Sequence, residues 1–71
     1  MQATDAKRYS EVMHYLTLNF PDRAVEQNLL RSYFHDLSEF PIDDVEKAAK
    51  AYVRTGDKFP LVSDLIRLLS A

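Results

Sequence analysis

Two histidines and eleven carboxylates are the residues of this chain that could do acid–base chemistry or hold a metal ion. Glu11 precedes His14 by one helical turn, and Glu39 follows His35 by four residues. Protein zinc sites take three or four close ligands, and neither histidine has a second His or Cys at ligand spacing. We therefore expect no metal site, and we interpret both histidines as partly exposed side chains on helices.

The carboxylates are concentrated where helices are expected to begin, so capping explains them without catalysis. Carboxylates at a helix start accept hydrogen bonds from free N–H groups and face the positive end of the helix dipole. No serine has a histidine base at recognisable spacing, there is no cysteine, and a single glycine cannot build a phosphate-binding loop. The sequence predicts a protein that is not an enzyme and has no cofactor. The capping interpretation covers Asp5, Asp22, Asp43, Asp44 and Asp64.

A row of cations follows the third predicted helix at steps of three and four residues. These residues, called here the basic stripe, are Lys47, Lys50, Arg54 and Lys58. One interpretation is a contact for phosphate or for an acidic partner. The other is a solvated helix face, favoured by Glu46 four residues before Lys50 and by the suitability of cations near a helix C-terminus. Four charges are few for a phosphate backbone and the formal net charge is −2, so we expect weak or no direct nucleic-acid binding.

The last predicted helix has two adjacent apolar stripes, which is more than one core contact needs. Val62, Ile66 and Leu69 form the first stripe. We expect the second, Leu61, Leu65 and Leu68, to be at least partly exposed in the monomer, with Arg67 at its edge. Such a row suits docking against a partner helix or a second copy of the chain. The alternative is a central helix that is buried on most sides.

These candidate residues must be positioned by four helices, which three Phe-Pro dipeptides separate. A residue before proline is disfavoured in the α region, whereas proline is tolerated just before or at the start of a helix. Each phenylalanine is interpreted as a plug that anchors its corner in the core. The dipeptides are Phe20-Pro21, Phe40-Pro41 and Phe59-Pro60.

Local signals predict where each helix starts and stops. Thr4 or Asp5 suits the N-cap of the first helix, and Asp22 is predicted to cap the second. The third is predicted to start at Asp43, with Glu46 completing an acidic capping box, and to end at Gly56 as a left-handed C′ residue. The fourth is predicted over Ser63–Ser70, with Ser63 as its N-cap.

Periodicity predicts one all-α, compact four-helix domain that spans residues 1–71. This length is near the lower limit for a core without metals or disulfides. Without cysteine or a secretory signal, the expected location is the cytoplasm, with no membrane contact. The predicted core is Tyr9, Met13, Leu16, Phe20, Leu30, Phe34, Leu37, Val45, Ala49, Tyr52, Phe59 and Ile66.

From about Tyr9 to the end, the sequence resembles the helical amino-terminal domain of bacteriophage replicative-helicase loader and inhibitor proteins. The residues that carry the resemblance are Tyr33-Phe34, Leu37, Phe40-Pro41, Val45-Glu46, Ala48-Ala49, Tyr52, Thr55-Gly56, Phe59-Pro60 and Asp64-Leu65-Ile66. In that family a polar, largely disordered tail follows the folded domain. The resemblance therefore implies either the folded part of a longer protein or a shortened relative. The family often has a second proline where this chain has Leu61.

The resemblance implies a non-enzymatic adaptor that binds a hexameric replicative helicase and serves phage or prophage DNA replication by loading or inhibiting it. A second hypothesis is a small DNA-binding regulator, because helix, turn and helix from Asp43 to Ser70 loosely resemble a helix-turn-helix. Its recognition helix would be dominated by leucine, where base-reading residues should stand. A third hypothesis is a self-associating module, which would form a homodimer.

Overall fold

The computed structural model describes residues 2–70, and it confirms the predicted all-α, four-helix architecture. A 3₁₀ turn, Ala3–Asp5, leads into α1 (Ala6–Asn19), followed by α2 (Gln27–Leu37), α3 (Ile42–Thr55) and α4 (Val62–Ser70). The radius of gyration is 11.0 Å, which matches the ~11 Å expected of a compact chain of this length. The principal extents are 29 × 28 × 17 Å, so the molecule is flattened.

Helix α3 organises the packing. It contacts α1 on one side and α4 on another, while α2 packs against α4. Tyr9 joins α1 to α2: its hydroxyl donates to the carbonyl of Leu30 at 2.6 Å, and its ring meets Phe34 edge-on with centroids 5.0 Å apart. The buried side chains that form the core are Tyr9, Val12, Met13, Leu16, Phe20, Tyr33, Leu37, Ile42, Val45, Ala49, Phe59 and Leu65.

The Phe-Pro corners lie at helix boundaries, as the sequence predicts. Phe20 follows the last residue of α1, Pro41 precedes α3, and Pro60 lies two residues before α4. Phe20 and Phe59 are buried, which confirms them as plugs. Phe40 is half-buried against the core.

Most of the predicted core is confirmed, and the clearest difference is in α2. Eight of the predicted residues are buried, whereas Leu30, Phe34, Tyr52 and Ile66 are partly buried against the core. Tyr33, rather than Phe34, takes the interior position of α2, because its hydroxyl reaches the carbonyl of Pro60 at 2.9 Å. A tyrosine can be buried when its O–H finds such an acceptor.

The predicted start of α2 is wrong. Asp22 does not cap this helix, which begins five residues later at Gln27 after Glu26 in an extended conformation. The carboxylate of Asp22 instead accepts a hydrogen bond from the backbone N–H of Phe59, with Oδ1 at 3.2 Å. The Asp22 carboxylate, which the local pattern predicts as a helix cap, is therefore bonded to a backbone N–H that is distant in the sequence.

The starts of α3 and α4 each lie one residue before the predicted positions. Pro41 is the N-cap of α3, and its carbonyl accepts from the N–H groups of Asp44 and Val45. Asp43 forms no cap; its carboxylate pairs with Arg8 at 2.7 Å. At α4, Asp64 accepts from the N–H of Leu61 at 3.1 Å, so Asp64 closes the helix start from within the first turn. Ser63 is not the N-cap, because α4 already includes Val62.

Gly56 ends α3, but the predicted left-handed conformation is wrong. Its φ of −80° and ψ of 153° are extended backbone that any residue adopts. Glycine is required there for a different reason, because a Cβ on residue 56 would lie 2.6 Å from Cζ of Tyr52. The Tyr52 ring lies across the backbone of Gly56 and leaves no room for a side chain.

Candidate functional site

The candidate binding surface lies on α4, so its position depends on the connection between α3 and α4. Three side chains hold this connection by hydrogen bonds to its backbone. The hydroxyl of Tyr52 donates to the carbonyl of Lys58 at 2.9 Å, Tyr33 donates to Pro60, and Asp22 accepts from Phe59. Burial raises the pKa of both phenols above the ordinary value of 10, at which a phenol is already a neutral donor at neutral pH. Residues 56–61 are therefore fixed at several points, and α4 leaves them in a defined direction.

The leucine row, which begins just before α4 at Leu61 and continues along the helix, is exposed at two of its three positions. Leu61 is 51% exposed and Leu68 is 41% exposed, whereas Leu65 is only 1% exposed. The predicted exposure of Leu65 is wrong. At about 100° per residue, Leu65 lies beside Leu69 and Val62 on the helix circumference, and both α2 and α3 pack against α4. Leu65 is thus a core anchor, with Leu61 and Leu68 on the rim beside it.

Arg67 lies on the solvent side of the same helix. Its Nη1 is 3.9 Å from Oδ1 of Asp64, and its side chain is exposed. An exposed pair at this distance contributes little to stability, so the guanidinium remains available for a contact. We define the α4 rim as Leu61, Leu68 and Arg67.

A shallow groove joins the α4 rim to helix α3. This α3–α4 groove has a volume of about 380 Å³, and its walls include Leu68 and Leu69 from α4 with Lys47 from α3. Ala48 and Ala51 form its floor, because their methyl groups leave space between the two helices. The sequence presents the leucine row and the basic stripe as two separate candidates. In the structure they meet at this groove, through Leu68 and Lys47.

The basic stripe is exposed along its whole length. Lys50 pairs with Glu46, with Nζ 3.7 Å from Oε1. Within residues 2–70, Lys47, Arg54 and Lys58 have no ion-pair partner. Two uncompensated cations, Lys47 and Arg54, thus lie on the outer side of α3, and Lys58 follows in the connection to α4. Lys47 lies at the groove itself.

The groove was only partly predictable from the sequence. The alanine pair Ala48-Ala49 indicates a close helix approach, and Ala49 is indeed buried under a neighbour. Ala51 gave no such signal, although it is exposed and lines the groove. Its neighbours Lys47 and Arg54 lie four residues before it and three residues after it. The only local signal for Ala51 is that a small residue lies between Lys47 and Arg54 on the same helix.

The lining of the α3–α4 groove suits binding. It offers alkyl groups, one ammonium from Lys47 and one carboxylate from Asp44. In the described part of the chain, no group of three or more His, Asp or Glu residues is placed to hold a metal ion. None of the helices across residues 2–70 is long and apolar enough to cross a bilayer. Comparisons with protein-family models, curated proteins and solved structures found no match to this chain.

Proposed function

We propose that this protein is a non-enzymatic adaptor that binds another protein through the α4 rim and the α3–α4 groove. Its proposed partner is a hexameric replicative helicase, which it loads or inhibits during phage or prophage DNA replication in the cytoplasm. The observation that carries the protein-binding part is the exposure of Leu61 and Leu68 on either side of the buried Leu65.

The geometry of α4 favours a protein partner. Leu65 anchors the helix in the core, so the rim leucines are presented from a fixed backbone and lose little freedom on binding. Leu68 stands beside a groove that can accept side chains of a partner, and Lys47 can contact a partner carboxylate at its edge. Exposed apolar side chains next to a groove, with Arg67 on the rim, suit a protein interface, whose core is apolar and in which arginine is enriched.

The helicase part of the proposal rests on the sequence resemblance described above. Several of the residues that carry the resemblance have structural roles in this fold. Phe59 is buried, and Gly56 makes room for Tyr52. They define the scaffold that presents α4.

A DNA-binding regulator is a weaker explanation of the same surfaces. In a helix-turn-helix interpretation α4 would enter the major groove, and base reading needs polar side chains there. Leu68 is exposed on α4 and Leu61 is exposed just before it, and the Asp64 carboxylate is turned towards its own helix start. The uncompensated cations lie on α3 and just after it, not on α4, which suits electrostatic contacts better than base recognition.

The proposal is tested by titrating the labelled protein with the replicative helicase of the bacterial host and, separately, with duplex and single-stranded DNA at near-physiological salt. We expect saturable binding to the helicase and none to DNA in the micromolar range. The triple variant Lys47→Glu, Lys50→Glu, Arg54→Glu should weaken helicase binding partially, because it removes Lys47 at the groove and two further cations of the basic stripe. Micromolar DNA binding that this variant abolishes would overturn the adaptor in favour of the regulator. Concentration-dependent dimerisation without helicase binding would favour the self-associating module.

A further inference from the structure

A second groove lies between α1 and α2, and it shares no residue with the α3–α4 groove. Its two parts have volumes of about 430 Å³ and 280 Å³ and meet at Ser10 and Leu30, which line both. Along α1 the lining runs from Ala6 to Thr17. Eleven residues of helical rise span about 16 Å, or about three turns of helix.

The floor of the α1–α2 groove is apolar and its shape is fixed. It consists of the half-buried Leu30 and Phe34 from α2 with Tyr9 and Met13 from α1. The Tyr9 hydroxyl bonds to the Leu30 carbonyl and its ring packs on Phe34, so the two helices are held at this spacing. The side of α1 that faces the groove has small residues at Ala6, Ser10 and Thr17. A third helix can therefore approach closely.

The rim of this groove carries basic side chains, with the formal positive charge on Arg31, although the whole molecule is acidic. Arg31 and His35 line one part and His14 lines the other, and no Asp or Glu is among the described lining residues. Arg31 has no ion-pair partner within residues 2–70. The formal net charge of the chain is −2, so this concentration of basic side chains is local.

We propose that the α1–α2 groove binds an amphipathic helix of a second protein, about three turns long, with leucine-type residues on one face and carboxylates beside them. The apolar face fills the floor over Leu30 and Phe34, and the carboxylates pair with Arg31 and the histidine N–H groups on the rim. Charge complementarity selects this occupant over a basic helix. This site is independent of the α4 rim and gives the protein a second binding surface.

The test uses a designed helical peptide of about four turns, fluorescently labelled, with leucines on one face and glutamates on both sides of it. A matched peptide has lysine in place of every glutamate. We expect the acidic peptide to bind the 71-residue chain saturably and the lysine peptide to bind about tenfold more weakly. In an amide NMR titration, the acidic peptide should shift signals of Ser10, Arg31 and His35 and leave those of Lys47 and Leu68 in place.

Two substitutions localise the binding, each with a matched control outside the groove. Ser10→Phe fills the groove from an exposed helix position and should weaken acidic-peptide binding about tenfold or more, whereas Ser32→Phe on the outer side of α2 should not. Arg31→Glu should weaken it several-fold, and Arg23→Glu should leave it unchanged. Thermal melts of all four variants confirm that they remain folded.

Several results would overturn the proposal. Equal affinity for the two peptides would remove the charge argument, and insensitivity to Ser10→Phe in a folded protein would place binding elsewhere. A dimer that Ser10→Phe dissociates would make a second copy of the chain the occupant. Duplex DNA binding that depends on Arg31 would make the occupant a nucleic acid.

Discussion

The carboxylate of Asp22 accepts a hydrogen bond from the backbone N–H of Phe59, with its two oxygens 3.2 and 3.4 Å from the nitrogen. The two residues are 37 positions apart in the chain. This bond ties the α1–α2 connection to the α3–α4 connection, and Phe59 beside it is buried in the core. The position of α4, and hence of its rim, depends on this contact between two loops.

Asp22→Ala should lower the free energy of unfolding by about 1–2 kcal/mol, because it leaves the partly buried N–H of Phe59 without an acceptor. Asp22→Asn keeps an acceptor oxygen and should lose less than half as much. Asp57→Ala, which removes an exposed carboxylate on the α3–α4 connection, is the control and should be nearly neutral. Urea denaturation followed by circular dichroism measures all three. Equal stability of Asp22→Ala and the parent would show that the bond is not significant.

Gly56→Ala should destabilise the fold by about 1–3 kcal/mol, since its Cβ overlaps the Tyr52 ring. That ring cannot move freely, because it packs on Phe20 at 5.5 Å and bonds to Lys58. In a Tyr52→Ala background the same glycine substitution should cost almost nothing. A double-mutant cycle on unfolding free energies measures this coupling. Additive effects would mean that close approach is not the reason for glycine.

Leu65→Ala and Leu68→Ala separate the core leucine from the rim leucine. Truncating the buried Leu65 should cost about 2–5 kcal/mol, a large part of the ~4–10 kcal/mol expected for a chain this short. Leu68→Ala should cost at most about 1 kcal/mol, because its side chain is already 41% exposed. Thermal melting of the two variants provides the comparison. Equal losses would place both leucines in the core.

Alkaline pH should destabilise the protein partly through Tyr9. Burial raises the pKa of this phenol well above its ordinary value of 10, so the folded state keeps a proton that the unfolded state releases above about pH 10. The stabilisation is complete below pH ~10 and falls as the pH rises above it. Tyr9→Phe removes the bond to Leu30 and lowers stability at neutral pH, but it should make the decline between about pH 9 and pH 11 shallower. Urea titrations across this range measure both slopes, and parallel slopes would contradict this role of Tyr9.

The sequence predicts the helices well because their signals are local. Apolar periodicity and the Phe-Pro dipeptides lie within each segment, so α1, α3 and α4 begin within about two residues of the predicted positions. The predicted start of α2 is wrong because the Asp22 carboxylate accepts a hydrogen bond from Phe59, which is far along the chain. The residues next to Asp22 in the sequence do not indicate this distant partner.

The candidate surface is only half predictable for the same reason. Spacing along α4 identifies the leucine row, and Leu61 and Leu68 are exposed. Spacing cannot tell which member of the row faces the neighbouring helices, so the predicted exposure is wrong for Leu65. The meeting of Leu68 with Lys47 is set by the packing of α4 on α3 and is absent from either segment alone.

The central claim is that the α4 rim binds a helicase, and Leu68→Asp tests it most directly. Leu18→Asp is the matched control, because Leu18 is a leucine of another helix that is 68% exposed and lines neither groove. Affinity for the host replicative helicase and the melting temperature should be measured together for both variants. We expect Leu68→Asp to melt within a few degrees of the parent and to bind about tenfold or more weakly, whereas Leu18→Asp keeps parental affinity. A folded Leu68→Asp protein that binds the helicase like the parent would contradict the claim.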